Sequence, residues 1–281
     1  MIKVYLLLLA IAFASFGGYH FYTFINNDVF LTILTSLSLF IGFILAFVIV
    51  FFAWLFFATC LENKHKERVV QSKYYRYTLY KMDLLLFSLF NMKLHLSGIE
   101  NLSKHENYVI VANHRSNLDS MIIDYYLKNF PLTFVAKDSL FKIPFVGKII
   151  HGCAYLNLDR KNVNEEFKTI STAIDMLTRE KNPLSIGIFP EGTRNKSTDN
   201  KDVQEFKAGS FRIAKKSCKP IAIMAIRGTK EVNNHLLFKK HDCYLDIIEV
   251  LEYEQYKDMD VQQIALYCEN RIKTFLEKEI H

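Results

Sequence analysis

No Asp, Glu, Lys or Arg occurs between Val29 and Cys60, and a helix needs only about 20 apolar residues to cross roughly 30 Å of hydrocarbon. This stretch reads as a transmembrane helix and excludes a purely soluble protein. Val4 to Ile25 is a second uncharged stretch, divided from the first by Asn26, Asn27 and Asp28. Two helices joined by so short a turn form a hairpin, which returns the chain to its starting side. A secretory signal peptide is the alternative for the N-terminus, since Lys3 precedes Leu6 to Leu9 and small residues follow at Ala12 and Ala14. Against it, the next apolar segment follows too soon to leave room for a mature N-terminal domain.

Only Lys3 and Asp28 are charged in residues 1–61, so the net charge of +6 of this 281-residue chain lies wholly beyond them. The remainder has ordinary mixed composition and is long enough to build a core. That excludes a disordered chain, a collagen-like chain and a small disulfide scaffold. Lys64, Lys66, Arg68, Lys73, Arg76 and Lys81 lie just past the second helix, where the positive-inside rule counts them, and they put this side in the cytoplasm. The expected organisation is a membrane hairpin over 1–61, a basic, Tyr-rich interfacial helix over 62–92 and a cytoplasmic domain over 93–281. Tyr74, Tyr75, Tyr77 and Tyr80 are interleaved with the charges. They fit either a belt on anionic lipid headgroups or a linker helix packed on the next domain. The five cysteines show no C-x-x-C and no His at ligand spacing, which points to reduced cytosolic thiols and no zinc or other metal.

Beyond residue 92, strand patterns occur at Lys93–Ser97, Tyr108–Ala112, Leu132–Ala136, Ala154–Leu158, Ser185–Phe189, Ile221–Ile226 and Tyr244–Leu251. Helical patterns run over 118–127, 165–179, 206–216 and from Val261 to Phe275. Strands alternating with helices predict an α/β domain in which helices cover a sheet.

Three strand ends carry chemistry, at the place where open α/β sheets hold their ligands. The first is Asn113-His-Arg-Ser-Asn-Leu-Asp119. On a continuous helix His114 and Asp119 would lie about 140° apart and could not meet. With His114 in the loop and Asp119 in the first helical turn, the chain can bring them together. A carboxylate on one imidazole nitrogen leaves the other free to take a proton from a hydroxyl. Ser116-x-x-Asp119 also fits a helix capping box. The second is Ile188-Phe-Pro-Glu-Gly-Thr-Arg194, where Gly192 beside Glu191, the Thr193 hydroxyl and the Arg194 guanidinium suit a phosphate ester. A turn built by Pro190 and Gly192 with a solvated Arg194 is the plainer account. The third is Asp159-Arg160, otherwise a surface ion pair, and Lys207 downstream could reach the same anion or be solvated.

Taken jointly, in this order and spacing, these segments resemble the glycerolipid (lysophospholipid) acyltransferase family. The resemblance runs from about Leu96 to Ile226, through Gly98-Ile-Glu-Asn-Leu102, Ala136-Lys-Asp-Ser-Leu140 and Ile143-Pro-Phe-Val-Gly147. It implies a mixed sheet flanked by helices, with His114 as catalytic base and Asp119 as its partner. It further implies that Glu191, Gly192, Thr193 and Arg194 hold a glycerol phosphate, with Arg160 as a second phosphate-binding arginine. The family's last block usually has a Pro within the strand that follows the position of Pro220, and Ile221–Ile226 has none.

The expected activity is transfer of an acyl chain from acyl-CoA or acyl-carrier protein to the free hydroxyl of lysophosphatidic acid, giving phosphatidic acid. The expected partners are that thioester donor, a lysophospholipid acceptor and membrane lipids, with no cofactor and no nucleic acid. Alternatives are the same transfer onto another lysophospholipid or an amino-acid lyso-lipid, a hydrolase using Ser116 or Ser120, and a non-catalytic lipid-binding membrane protein. Neither serine sits in a Gly-x-Ser-x-Gly elbow, which disfavours the hydrolase.

Overall fold

The computed structural model describes residues 2–24, 28–63, 68–104, 106–158, 163–197, 199, 201–232 and 239–279. The chain forms two compact units, Met1–Glu62 and Asn63–His281.

The first unit is a pair of helices, α1 (Ile2–Phe24) and α2 (Val29–Cys60). Asp28 caps α2 by accepting the Leu31 N–H at 3.1 Å. The two helices run antiparallel: the Phe13 and Phe43 rings lie 5.8 Å apart, and Gly17 and Gly18 lie against Leu39 and Ser36. A Cβ on Gly18 would come within 2.0 Å of the Ser36 Oγ, so a larger residue there would have to displace that hydroxyl. Ala10 and Ala14 are buried in the same seam, while Phe30, Ile33, Ile49, Val50 and Phe57 expose most of their surface. Among the described residues, α2 alone is long and apolar enough to cross a membrane.

In the second unit the elements follow in the order α3 (Lys73–Leu89), β1 (Met92–Ser97), β2 (Val109–Ala112), α4 (Leu118–Tyr126), β3 (Leu132–Lys137), α5 (Asp138–Phe141), α6 (Val146–Gly152), β4 (Leu156–Leu158), α7 (Val163–Thr178), β5 (Ser185–Ile188), α8 (Arg212–Ser217), β6 (Ile221–Arg227), α9 (Thr229–Val232), β7 (His241–Leu251), α10 (Tyr253–Tyr256) and α11 (Val261–Glu279). The strands form one seven-stranded sheet in the order β1-β7-β6-β2-β5-β3-β4. All neighbours are parallel except β6 and β7. The sheet is therefore mixed and flanked by helices.

Burial on both faces explains why β2, β5 and β6 read as unbroken apolar runs. Val109 and Val111 point into a core with α7 and α11, through Met176, Leu177, Ile264, Cys268 and Ile272. Ile110 and Ala112 point into the opposite core with Leu118, Ile122 and Ile123 of α4 and Phe87 of α3. Residues 206–216 begin with a 3-10 turn at Ala208–Phe211, and the α-helix starts only at Arg212.

Helix α3 settles its two expected faces separately. Tyr75 is buried, and Tyr80 stacks on Tyr125 of α4 with centroids 5.6 Å apart. Tyr74 and Tyr77 are 51% and 60% exposed, beside the exposed Lys73 and Lys81. Arg76 turns inward and pairs with the buried Asp124 of α4, which also accepts the Tyr155 hydroxyl.

Candidate active site

The carboxyl ends of β2, β5 and β6 share one edge of the sheet, and Asn113 ties two of them together. Its amide accepts the Ile226 N–H at 2.8 Å and donates to the Ile226 carbonyl at 3.0 Å. The next residue, His114, is held from several directions. Its N–H donates to Glu191 Oε1 at 2.6 Å, its carbonyl accepts the Asn195 N–H at 2.7 Å, and its ring stacks on Phe189 with centroids 4.3 Å apart. The segment after β5 thus grips the backbone and ring of the residue after β2.

The chain turns through Arg115–Asn117 before α4 starts, and this brings Asp119 back to His114. Asp119 Oδ2 lies 2.9 Å from His114 Nδ1 and accepts the N–H groups of Arg115 at 2.7 Å and Ser116 at 2.8 Å. Oδ1 accepts the Thr229 hydroxyl at 2.6 Å. The capping contact and the His contact coexist on one fully buried carboxylate. A neutral imidazole that donates its Nδ1–H to this acceptor would leave the Nε2 lone pair free. The imidazole is one-fifth exposed, so a hydroxyl can approach it. The Ser116 Oγ accepts the Leu118 N–H and the Ser120 Oγ donates to the Asn117 carbonyl, so both hydroxyls serve the start of α4.

Glu191 is buried, and its two oxygens take the N–H groups of His114 and Gln204, the latter at 3.2 Å. Burial pushes its carboxyl up to about 7, against the pull of those two donors. Gly192 turns the chain, donating its N–H to the Phe189 carbonyl at 3.0 Å. Thr193 and Arg194 are exposed, and the Thr193 hydroxyl donates to Gln204 Oε1 at 3.1 Å. Lys207 is exposed as well, and its N–H bonds the Pro190 carbonyl at 3.0 Å, which sets it beside the same turn. His114, Asp119, Glu191, Gly192, Thr193, Arg194 and Lys207 therefore belong to one edge of the sheet. Arg160 lies outside the described residues.

Two residues at this edge escape a motif reading. Arg115 is buried, and its guanidinium donates to the carbonyls of Asp202 at 3.0 Å and Ser197 at 2.9 Å, bracing the loop that follows Arg194. Thr229 follows Gly228 directly after β6, and the available signal was only its position at another strand end.

Comparison with known proteins adds a family to this geometry. Residues 93–227 match the family model described as Acyltransferase. The chain is 29% identical to the 1-acyl-sn-glycerol-3-phosphate acyltransferase of Borreliella burgdorferi, over 62% of this chain and 68% of that protein. It is 26% identical to the protein of the same name from Escherichia coli, over 69% and 76% of the two chains. The crystal structure of the 1-acyl-sn-glycerophosphate (LPA) acyltransferase PlsC from Thermotoga maritima superposes with a TM-score of 0.61 at 24% identity, covering 82% of this chain and 89% of that one.

Proposed function

This chain carries an acyltransferase-family domain over residues 93–227 and is an acyltransferase, and from that premise we propose that it acylates the free hydroxyl of lysophosphatidic acid at a membrane surface. The observation that carries the reading is the His114–Asp119 contact at 2.9 Å, placed beside the turn that presents Arg194.

In this reading His114 Nε2 removes the hydroxyl proton of the acceptor as that oxygen attacks the thioester carbonyl. Asp119 stabilises the imidazolium that forms. Arg194, with Arg160 and Lys207, holds the acceptor phosphate, so the hydroxyl meets the base without a costly bimolecular search. Glu191 supports the same turn from below, since both its oxygens are spent on backbone N–H groups. The donor is acyl-CoA or acyl-carrier protein, and either anion suits a chain of net charge +6.

Helix α2 leaves its apolar side chains exposed, the opposite of a soluble core helix, which supports a membrane-spanning hairpin. With the basic segment after it, the catalytic unit belongs on the cytoplasmic side. Lys73, Tyr74, Tyr77 and Lys81 form the face of α3 offered to anionic headgroups.

The test is purified full-length protein in detergent, given lysophosphatidate with acyl-CoA or acyl-carrier protein, followed by mass analysis of the lipid. Phosphatidate is the expected product. Acylation of other lyso-lipids but not lysophosphatidate would overturn the acceptor assignment, and free fatty acid formed without an acceptor would favour a hydrolase.

A further inference from the structure

We infer that Thr229 is a positioning residue of the catalytic pair, holding the Asp119 carboxylate in the orientation that presents Oδ2 to His114. The inference rests on the reading of His114 as general base.

The two oxygens of Asp119 are tied in different ways. Oδ2 sits among three N–H donors from the turn between His114 and α4. Oδ1 accepts only the Thr229 hydroxyl among the contacts described, at 2.6 Å, and both residues are fully buried. The terminal torsion of an Asp is broad, so a carboxylate takes its plane from its donors and not from its own rotamer preference. With donors on both oxygens that plane is fixed. Without the hydroxyl it is free to rock about Oδ2, and the bond to Nδ1 loses alignment.

The backbone is shaped to deliver this hydroxyl. Gly228 has φ +80°, and a Cβ there would lie 2.2 Å from the Asp242 carbonyl oxygen. Only glycine accepts that turn, which carries the chain from the end of β6 to the foot of α4. The Asn113–Ile226 clamp fixes the end of β6 against the end of β2, so Thr229 and His114 share one rigid reference. The bland account is that Thr229 merely starts the short helix α9. Its hydroxyl hydrogen is committed to Asp119, 110 positions away in sequence, and not to the first turn of that helix.

The test compares Thr229→Val, which keeps the volume and removes the hydroxyl, with Thr229→Ser, which restores it, in the full chain in detergent. Partners that orient a functional side chain from behind cost about 10–100-fold when removed. Thr229→Val is expected to lower kcat by that factor with both KM values within about twofold of the parent, and Thr229→Ser to stay within about threefold. In an Asp119→Ala background, Thr229→Val is expected to change the residual rate by less than about twofold, because the group it orients is gone.

A kcat for Thr229→Val within threefold of the parent would overturn the inference. So would a Ser variant as slow as the Val variant, or a loss appearing in KM, since each marks a role in packing alone. Should the Val chain fail to fold, Thr229→Ser and Thr229→Ala are compared by the same kcat criterion. Rates are taken with whichever acceptor the parent protein turns over, so failure of lysophosphatidate counts against the acceptor assignment and leaves the Thr229 test intact.

Discussion

The Nδ1 of His114 and the Oδ2 of Asp119 stand 2.9 Å apart, and that same Oδ2 also gathers the backbone N–H groups of the two residues that follow His114. The pair is therefore built on the turn between its members. Removing either side chain has separable effects on chemistry and on fold.

His114→Ala should lower kcat by at least about 10²-fold with the fold kept, because the ring packs at a partly exposed strand end. Asp119→Asn can leave its oxygen to the backbone donors and turn its NH₂ to Thr229, whose hydroxyl can accept. It should fold and lose about 10²–10⁴ in kcat, since the charge facing the imidazolium is gone. Thiol release and thermal melts on the same samples check both.

Glu191 ties pH to stability. Its carboxyl, pushed up to about 7 by burial from an ordinary 4.5, keeps its proton in the folded chain at pH values where the unfolded chain has released it. The folded state then binds more protons than the unfolded one, so this group's contribution to stability falls as pH rises from about 4.5 to about 7. Glu191→Gln should flatten the melting temperature across that window relative to the parent. It should also slow turnover about tenfold or more, because an amide cannot accept from both the His114 and Gln204 N–H groups.

Asp83, on α3, is a second acid with a raised pKa. It lies fully buried with no hydrogen-bond partner on either oxygen among the described residues, and burial holds its carboxyl well above the usual range, with Arg76 pulling the other way. The sign is the same as for Glu191: stability is lost as pH rises above the ordinary carboxylate value. Asp83→Asn removes the need to hold a proton. Its melting temperature should match the parent at about pH 4 and exceed it at about pH 8.

Arg194 is exposed one residue before Asn195, whose N–H meets the His114 carbonyl. Arg194→Ala should raise KM for lysophosphatidate about tenfold or more and leave KM for the thioester donor near the parent value. Arg194→Lys should recover only part of the loss, because an ammonium cannot give the two parallel bonds of a guanidinium. Initial rates with each substrate varied in turn decide it.

Most of this architecture is legible in the amino-acid sequence. The runs at Tyr108–Ala112, Ser185–Phe189 and Ile221–Ile226 are apolar because both faces of those strands are buried, and all three appear within a residue of their expected ends. The spacing over 206–216 predicts a helix from Phe206, whereas the chain is extended at Lys207, 3-10 over Ala208–Phe211 and α-helical only from Arg212. Tyr74–Tyr80 could not be sorted by composition, and packing against α4 and α6 divides them into inner and outer faces. Arg115 carries no expectation of its own within Asn113–Asp119. It is buried because the loop after Arg194 returns carbonyls to it, and a return of some 80 residues leaves no local trace. Thr229 shows only its place at a strand end, since the Asp119 it meets is 110 positions away.

The four donors around Asp119 have one further result. Oδ2 gathers three of them and Oδ1 takes one. In the proposed mechanism the carboxylate orients the imidazolium and does not itself take the proton that arrives on His114. That proton must go back out through Nε2, to the thiolate released when the thioester breaks. In that mechanism one proton travels from the acceptor alcohol to the departing thiol within a single turnover, entering and leaving His114 by the same nitrogen.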